Sequence, residues 1–128
     1  MNPREYQELC VRTCVPQEEM YLTIEQRDIL HAVMGICTEA GELQDQLKKS
    51  FFYGKKLDMI NIEEELGDAL WYIGMCCQRL GLSMEKIMEQ NIEKLRVRFP
   101  EKFTTELALS RDLNKERDSL ETNTQQGA

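Results

Sequence analysis

A chain of 128 residues, 41% apolar and 30% charged, has the balance of one folded domain with a modest core rather than of a disordered segment. Its formal net charge of −7 makes it a poor candidate for general binding to nucleic acid, yet leaves room for a phosphorylated ligand wherever metal ions or a local basic cluster neutralise it. The longest apolar run, Ala69 to Cys77, is too short to span a membrane.

Asn2-Pro3-Arg4-Glu5 reads as a helix start: a capping side chain, a proline in the first turn, then an acid. The helix it opens is expected to run to about Cys14 and to end before Pro16. Thr23 with Gln26 has capping-box form and opens a second helix reading to Phe52, with Gly54 as its stop. Asp58 to Asn61 offers several caps, and Asn61 with Glu64 forms a further capping box for a third helix that reaches Leu80 before Gly81. Ser83 caps a fourth helix, which Pro100 terminates. Thr104 to Leu120 predicts a peripheral or oligomer-contact helix with a thin apolar stripe, and residues 121–128 read as a disordered tail. The domain is therefore drawn as residues 1–103, with its core motifs in 25–103.

Within the helices the apolar residues alternate at steps of three and four. The second helix places Ile29, Val33, Ile36, Ala40, Leu43 and Leu47 in this way; the third places Ile62, Leu66, Ala69, Ile73, Cys76 and Leu80. Met88, Ile92, Leu95 and Phe99 continue it in the fourth. The pattern predicts an all-α fold, a helical bundle of about four core helices with one seam each facing a shared core.

Two tetrapeptides interrupt that economy: EAGE at 39–42 and ELGD at 65–68. Glu39 and Glu42 each stand one residue before a seam position, and so do Glu65 and Asp68. All four thus share one shoulder of their helices, each pair about one turn apart. Like charges at that spacing repel, and a carboxylate beside a core is costly without a partner. Gly41 and Gly67 each cost roughly 1 kcal/mol relative to alanine within a helix, and Gly35 and Gly74 add to this. A divalent cation shared between the helices resolves the repulsion, and glycines let two backbones approach closely. Hard carboxylate oxygens suit Mg2+, with Mn2+ as the second candidate. One acidic pair is ordinarily a solvated face; two pairs on matching shoulders of consecutive helices favour a metal site. A di-iron site would need an ExxH motif on each of two helices, and the chain has a single histidine, His31.

Asn91, Lys94 and Arg98 repeat the placement, each one residue before a seam position of the fourth helix, and Lys102 follows Pro100. A cation row beside a carboxylate-held metal is what a polyphosphate needs. His31 and Trp71, with Tyr72, Phe51 and Phe52, are the rings available to stack on a base. Each is more often core at helical spacing than part of a ligand pocket, and core is the default for Trp71, beside the seam. The five cysteines, with no CxxC spacing, predict reduced core-filling thiols in a cytoplasmic protein, with no disulfide framework and no zinc site. No secretory leader is read at the N-terminus.

Glu39-x-x-Glu42, then 22 residues, then Glu65-x-x-Asp68 resembles the ExxE…ExxD signature of the MazG-like all-α nucleotide pyrophosphohydrolases. "EEELGDALWYI" is typical of that family's second motif helix, and "NIEKLRVRFPEKF" resembles its following helix and turn. The sequence departs from the family at Thr38, where many members carry a second acid. The resemblance implies a helical homodimer or homotetramer. It implies Mg2+-dependent cleavage of a nucleoside triphosphate between its α- and β-phosphates, giving the monophosphate and pyrophosphate. Carried over by position, Glu39, Glu42, Glu65 and Asp68 would hold the metal, and Asn91, Lys94, Arg98 and Lys102 the phosphates. Glu39 and Glu64 are both candidates for the general base, and His31 and Trp71 for base contact. The partner expected is thus a nucleoside triphosphate, with neither nucleic acid nor membrane. Pool cleaning and control of a signalling nucleotide are two roles for such an activity.

Two alternatives stand beside it. A dedicated dUTP, dCTP or phosphoribosyl-ATP pyrophosphohydrolase would use the same scaffold and metal chemistry. A non-catalytic helical module would use the acids for divalent-cation binding or partner contact alone.

Overall fold

A computed structural model describes residues 1–16 and 19–125. Its described residues form six helices and no strand: α1 Pro3–Val11, α2 Ile24–Tyr53, α3 Met59–Leu80, α4 Met84–Arg98, α5 Thr105–Leu109 and α6 Leu113–Gln125. The all-α expectation therefore holds.

Most boundaries fall where local chemistry puts them. Asn2 and Glu5 close a capping box on α1, each side chain accepting from the other's backbone N–H at 2.9 Å. Thr23 and Gln26 do the same for α2. Gly54 and Gly81 end α2 and α3 with positive φ, a conformation that favours glycine. Ser83 accepts from the Lys86 N–H at the start of α4.

Four boundaries differ from expectation. Helix α1 stops at Val11 rather than near Cys14, because the Thr13 hydroxyl and N–H both turn back to the Cys10 carbonyl. Helix α3 starts at Met59, with Asp58 as its cap, so Asn61 lies inside the helix instead of capping it. The expected helix over 104–120 is two helices. Ser110 donates to the Glu106 carbonyl and ends α5, while Asp112 accepts from the Lys115 N–H and starts α6. Helix α6 then continues to Gln125, five residues into the stretch read as a disordered tail, whose last residues, 126–128, lie outside the described ones.

Helices α2 and α3 form an antiparallel hairpin, and α4 packs against α6. The hairpin register is visible in its contacts, which converge toward the turn: Asp28 pairs with Arg79 at 2.6 Å, Gly35 faces the Tyr72 ring, and Glu39 meets Glu65. Small residues make the close approach. Ala32 is fully buried, and a Cβ placed on Gly35 would lie 2.3 Å from the Tyr72 ring. At Gly41, Gly67 and Gly74 an added Cβ meets nothing within 4 Å, so close approach is confined to Gly35.

The deepest burial between α2 and α3 thus falls on the acid-bearing shoulder, at Ala32, Gly35 and Glu65, with the apolar seam half-buried to exposed beside it. Ala32 and Gly35 stand one residue before Val33 and Ile36, in line with Glu39 and Glu42. The seam stays substantially open within one chain: Val33 is 46% exposed, Leu66 50% and Ile92 49%. Periodicity identifies an apolar face; the covering surface is a tertiary matter. The cysteines differ in the same way. All five are free, but only Cys77 is buried, while Cys10, Cys14 and Cys37 are exposed. No helix among the described residues is long and apolar enough to cross a membrane.

Candidate metal centre

Glu39 and Glu42 lie midway along α2, and Glu65 lies in the second turn of α3. The hairpin brings them together: one carboxylate oxygen from each falls within 4.8 Å of the others. Asp68, one turn beyond Glu65, is exposed and stands outside this group. Glu65 is the deepest, only 6% exposed. Its neighbours are an Asn61 amide, which donates to Oε1 at 2.7 Å, and the Glu39 carboxyl. Among the described residues none of the three is ion-paired with a lysine or arginine.

Electrostatics register the crowding at Glu39. Loss of solvation pushes its carboxyl above the ordinary value of 4.5, a hydrogen bond shared with Glu65 pushes the same way, and the charges of Glu42 and Glu65 add to it. The Thr38 hydroxyl opposes the shift, lying 3.3 Å from Glu39 Oε1 while it donates to the Gly35 carbonyl at 2.9 Å. A buried carboxylate flanked by two others is unfavourable without positive charge. A hard divalent cation answers all three at once, so the donor set fits Mg2+ or Mn2+.

The candidate phosphate-binding residues are placed differently. Arg98 turns toward the C-terminal segment, donating from Nη2 to the Ala108 carbonyl at 2.9 Å, with Nε 3.9 Å from Glu116. Glu116 is only 4% exposed and takes a two-point hydrogen bond from Arg111, at 3.2 and 2.6 Å. That bond first, then the charges of Arg111, Arg98 and Lys94, holds the Glu116 carboxyl below its ordinary range. Asn91 and Lys102 are exposed. Within one chain, then, Lys94 and Arg98 answer the acid of α6, because α4 packs on α6. Sequence reading missed Glu116 and Arg111, which lie in a region of thin apolar pattern, and it missed the role of Asn61, taken for a cap.

The candidate base contacts gather around Tyr72. Its ring meets His31 edge-on with centroids 5.7 Å apart and Trp71 at 5.0 Å. His31 and Trp71 are both exposed, so the core default for Trp71 does not hold in one chain. Phe51 and Phe52 lie elsewhere, lining an open hollow of about 470 Å³ with Gly41, Leu47 and Lys48 at the end of α2.

Comparison with known proteins accords with this geometry. Residues 27–103 match the MazG nucleotide pyrophosphohydrolase domain. Over 74 residues the chain is 28% identical to the Gene 37 protein of Mycobacterium phage L5, covering 53% of this chain and 63% of that relative. No solved structure matches. The matched region holds the whole α2–α3 hairpin from Arg27 onward and all of α4, while α5 and α6 lie beyond it.

Proposed function

The chain belongs to the MazG nucleotide pyrophosphohydrolase domain family, and from that premise we propose that it hydrolyses a nucleoside triphosphate between the α- and β-phosphates with a divalent cation. Products are the nucleoside monophosphate and pyrophosphate. One observation carries the reading. Glu65, buried to 6% exposure, shares a space within 4.8 Å with Glu39 and Glu42, and among the described residues no lysine or arginine pairs with it.

Glu39, Glu42 and Glu65 would hold the cation, Mg2+ or Mn2+, and Asp68 is a fourth candidate from the next turn of α3. When bound, the cation supplies charge neutralisation for the triphosphate and activation of water. The chain's own groups do the rest. Glu39 or Glu64 accepts the proton of the attacking water. Asn91, Lys94, Arg98 and Lys102 are the groups assigned to the departing pyrophosphate, whose growing charge they offset. His31 and Trp71, held around Tyr72, are the rings assigned to the base. The open seam of Val33, Leu66 and Ile92 supports assembly as a homodimer or homotetramer, since apolar faces of that extent are ordinarily covered.

A second reading has its own observation. Lys94 and Arg98 face Glu116 rather than the carboxylates, which suits a helical module that binds a divalent cation without processing a triphosphate.

Release of monophosphate and pyrophosphate from the canonical NTPs and dNTPs, with Mg2+, with Mn2+ and with EDTA, tests the two together. Metal-dependent monophosphate production is expected, abolished by EDTA. In Glu42→Gln the loss should exceed the 10–100-fold typical of a metal's outer partners. Mn2+ binding without turnover on any triphosphate would favour the module.

A further inference from the structure

We infer that Asn61 is a positioning residue of the metal centre: its amide N–H fixes the Glu65 carboxylate. The inference rests on the metal reading above and extends it to a residue outside both acidic motifs.

Three observations carry it. First, Asn61 has no capping duty. Asp58 takes that role, accepting from the Ile60 and Asn61 N–H groups at 3.2 Å each. An asparagine inside a helix is a weak helix former, so its presence there calls for a side-chain reason. Second, that side chain is committed. Nδ2 donates to Glu65 Oε1 at 2.7 Å in a partly buried setting. An ionised carboxylate only accepts, so the amide is oriented with its NH2 toward Glu65 and its oxygen away. Third, the oxygen so oriented is cut off from solvent and has no hydrogen-bond partner among the described residues. A buried acceptor without a donor is uncommon in folded proteins and calls for a reason. One end of the amide therefore grips a buried carboxylate of the cluster, and the other end lacks a donor. The amide is thus set by its bond to Glu65, at the cost of an oxygen left unpaired among the described residues.

The test is calorimetric titration of the full chain with Mn2+, comparing wild type with Asn61→Leu, of similar size but without polar atoms, and Asn61→Gln, which keeps the amide. Thermal unfolding is followed in parallel. The expected result is Mn2+ affinity about 10–100-fold weaker in Asn61→Leu and partly restored in Asn61→Gln. The half-saturating Mn2+ concentration for triphosphate hydrolysis should rise by the same factor. Unchanged affinity in a folded Asn61→Leu overturns the inference and leaves the functional reading standing. A wild type that binds no Mn2+ overturns both. If Asn61→Leu does not unfold cooperatively, Asn61→Ser takes its place under the same criterion.

Discussion

Gly35→Ala is the sharpest probe of the hairpin that carries the carboxylates. The added Cβ would stand 2.3, 2.4 and 2.5 Å from three atoms of the Tyr72 ring. Carbon atoms rest about 3.5–4.0 Å apart, so the ring or the helix must retreat by more than about 1 Å. Retreat is hindered, because Tyr72 is edged by His31 and by Trp71. Overpacking costs typically about 1–3 kcal/mol, and a three-atom clash belongs at the upper end. Alanine returns about 1 kcal/mol of helix propensity, leaving a net loss of about 2 kcal/mol. Urea denaturation of wild type, Gly35→Ala, Tyr72→Ala and the double variant measures it. With the ring removed, the alanine should become neutral or stabilising. An equal penalty with and without Tyr72, or no penalty at all, refutes the contact. The same variant should weaken metal binding, since Glu39 sits one turn further along α2 and the substitution shifts α2 against α3.

Gly41→Ala and Gly67→Ala should each stabilise the chain by about 1 kcal/mol, because their Cβ atoms enter open space. A loss of stability in the same denaturation series would place another helix against those positions. Metal binding should weaken on acidification from a pH above 4.5, because the Glu39 carboxyl, raised by desolvation and by Glu65, must lose its proton to act as a ligand. Mn2+ titrations across pH 4.5 to 7 check this, and a flat profile would contradict it.

What the sequence displays most clearly is chemistry confined to a few neighbouring residues. The caps at Asn2, Thr23 and Ser83 and the stops at Gly54 and Gly81 depend only on adjacent backbone groups, and each stands where its residue type predicts. Where two caps compete, local reading loses discrimination, as between Asp58 and Asn61. The meeting of Glu39, Glu42 and Glu65 is legible because spacing of three and a shared shoulder survive into the hairpin. Asp68 shares the spacing and not the cluster. Arg98 shows the opposite failure. Its place on α4 is legible, but its partner Glu116 lies 18 residues further on, in a helix with little apolar pattern to announce its packing. The seam of Val33, Leu66 and Ile92 is legible as apolar, while its exposure depends on what covers it.

The two helix pairs answer oppositely to acid. The α4–α6 pair is clasped by Glu116 between Arg111 and Arg98, and its carboxyl is held below 4.5. Its contribution is present above the unfolded-state value and is lost as pH falls through the folded one. The α2–α3 pair brings carboxylates together, and the Glu39 carboxyl is held above 4.5. In the metal-free chain its proton relieves repulsion, so this contribution is present at low pH and is lost as pH rises through the raised value. A fall in pH therefore tightens the metal-free hairpin while it loosens the C-terminal clasp, and proton concentration acts on one short chain as two opposed forces.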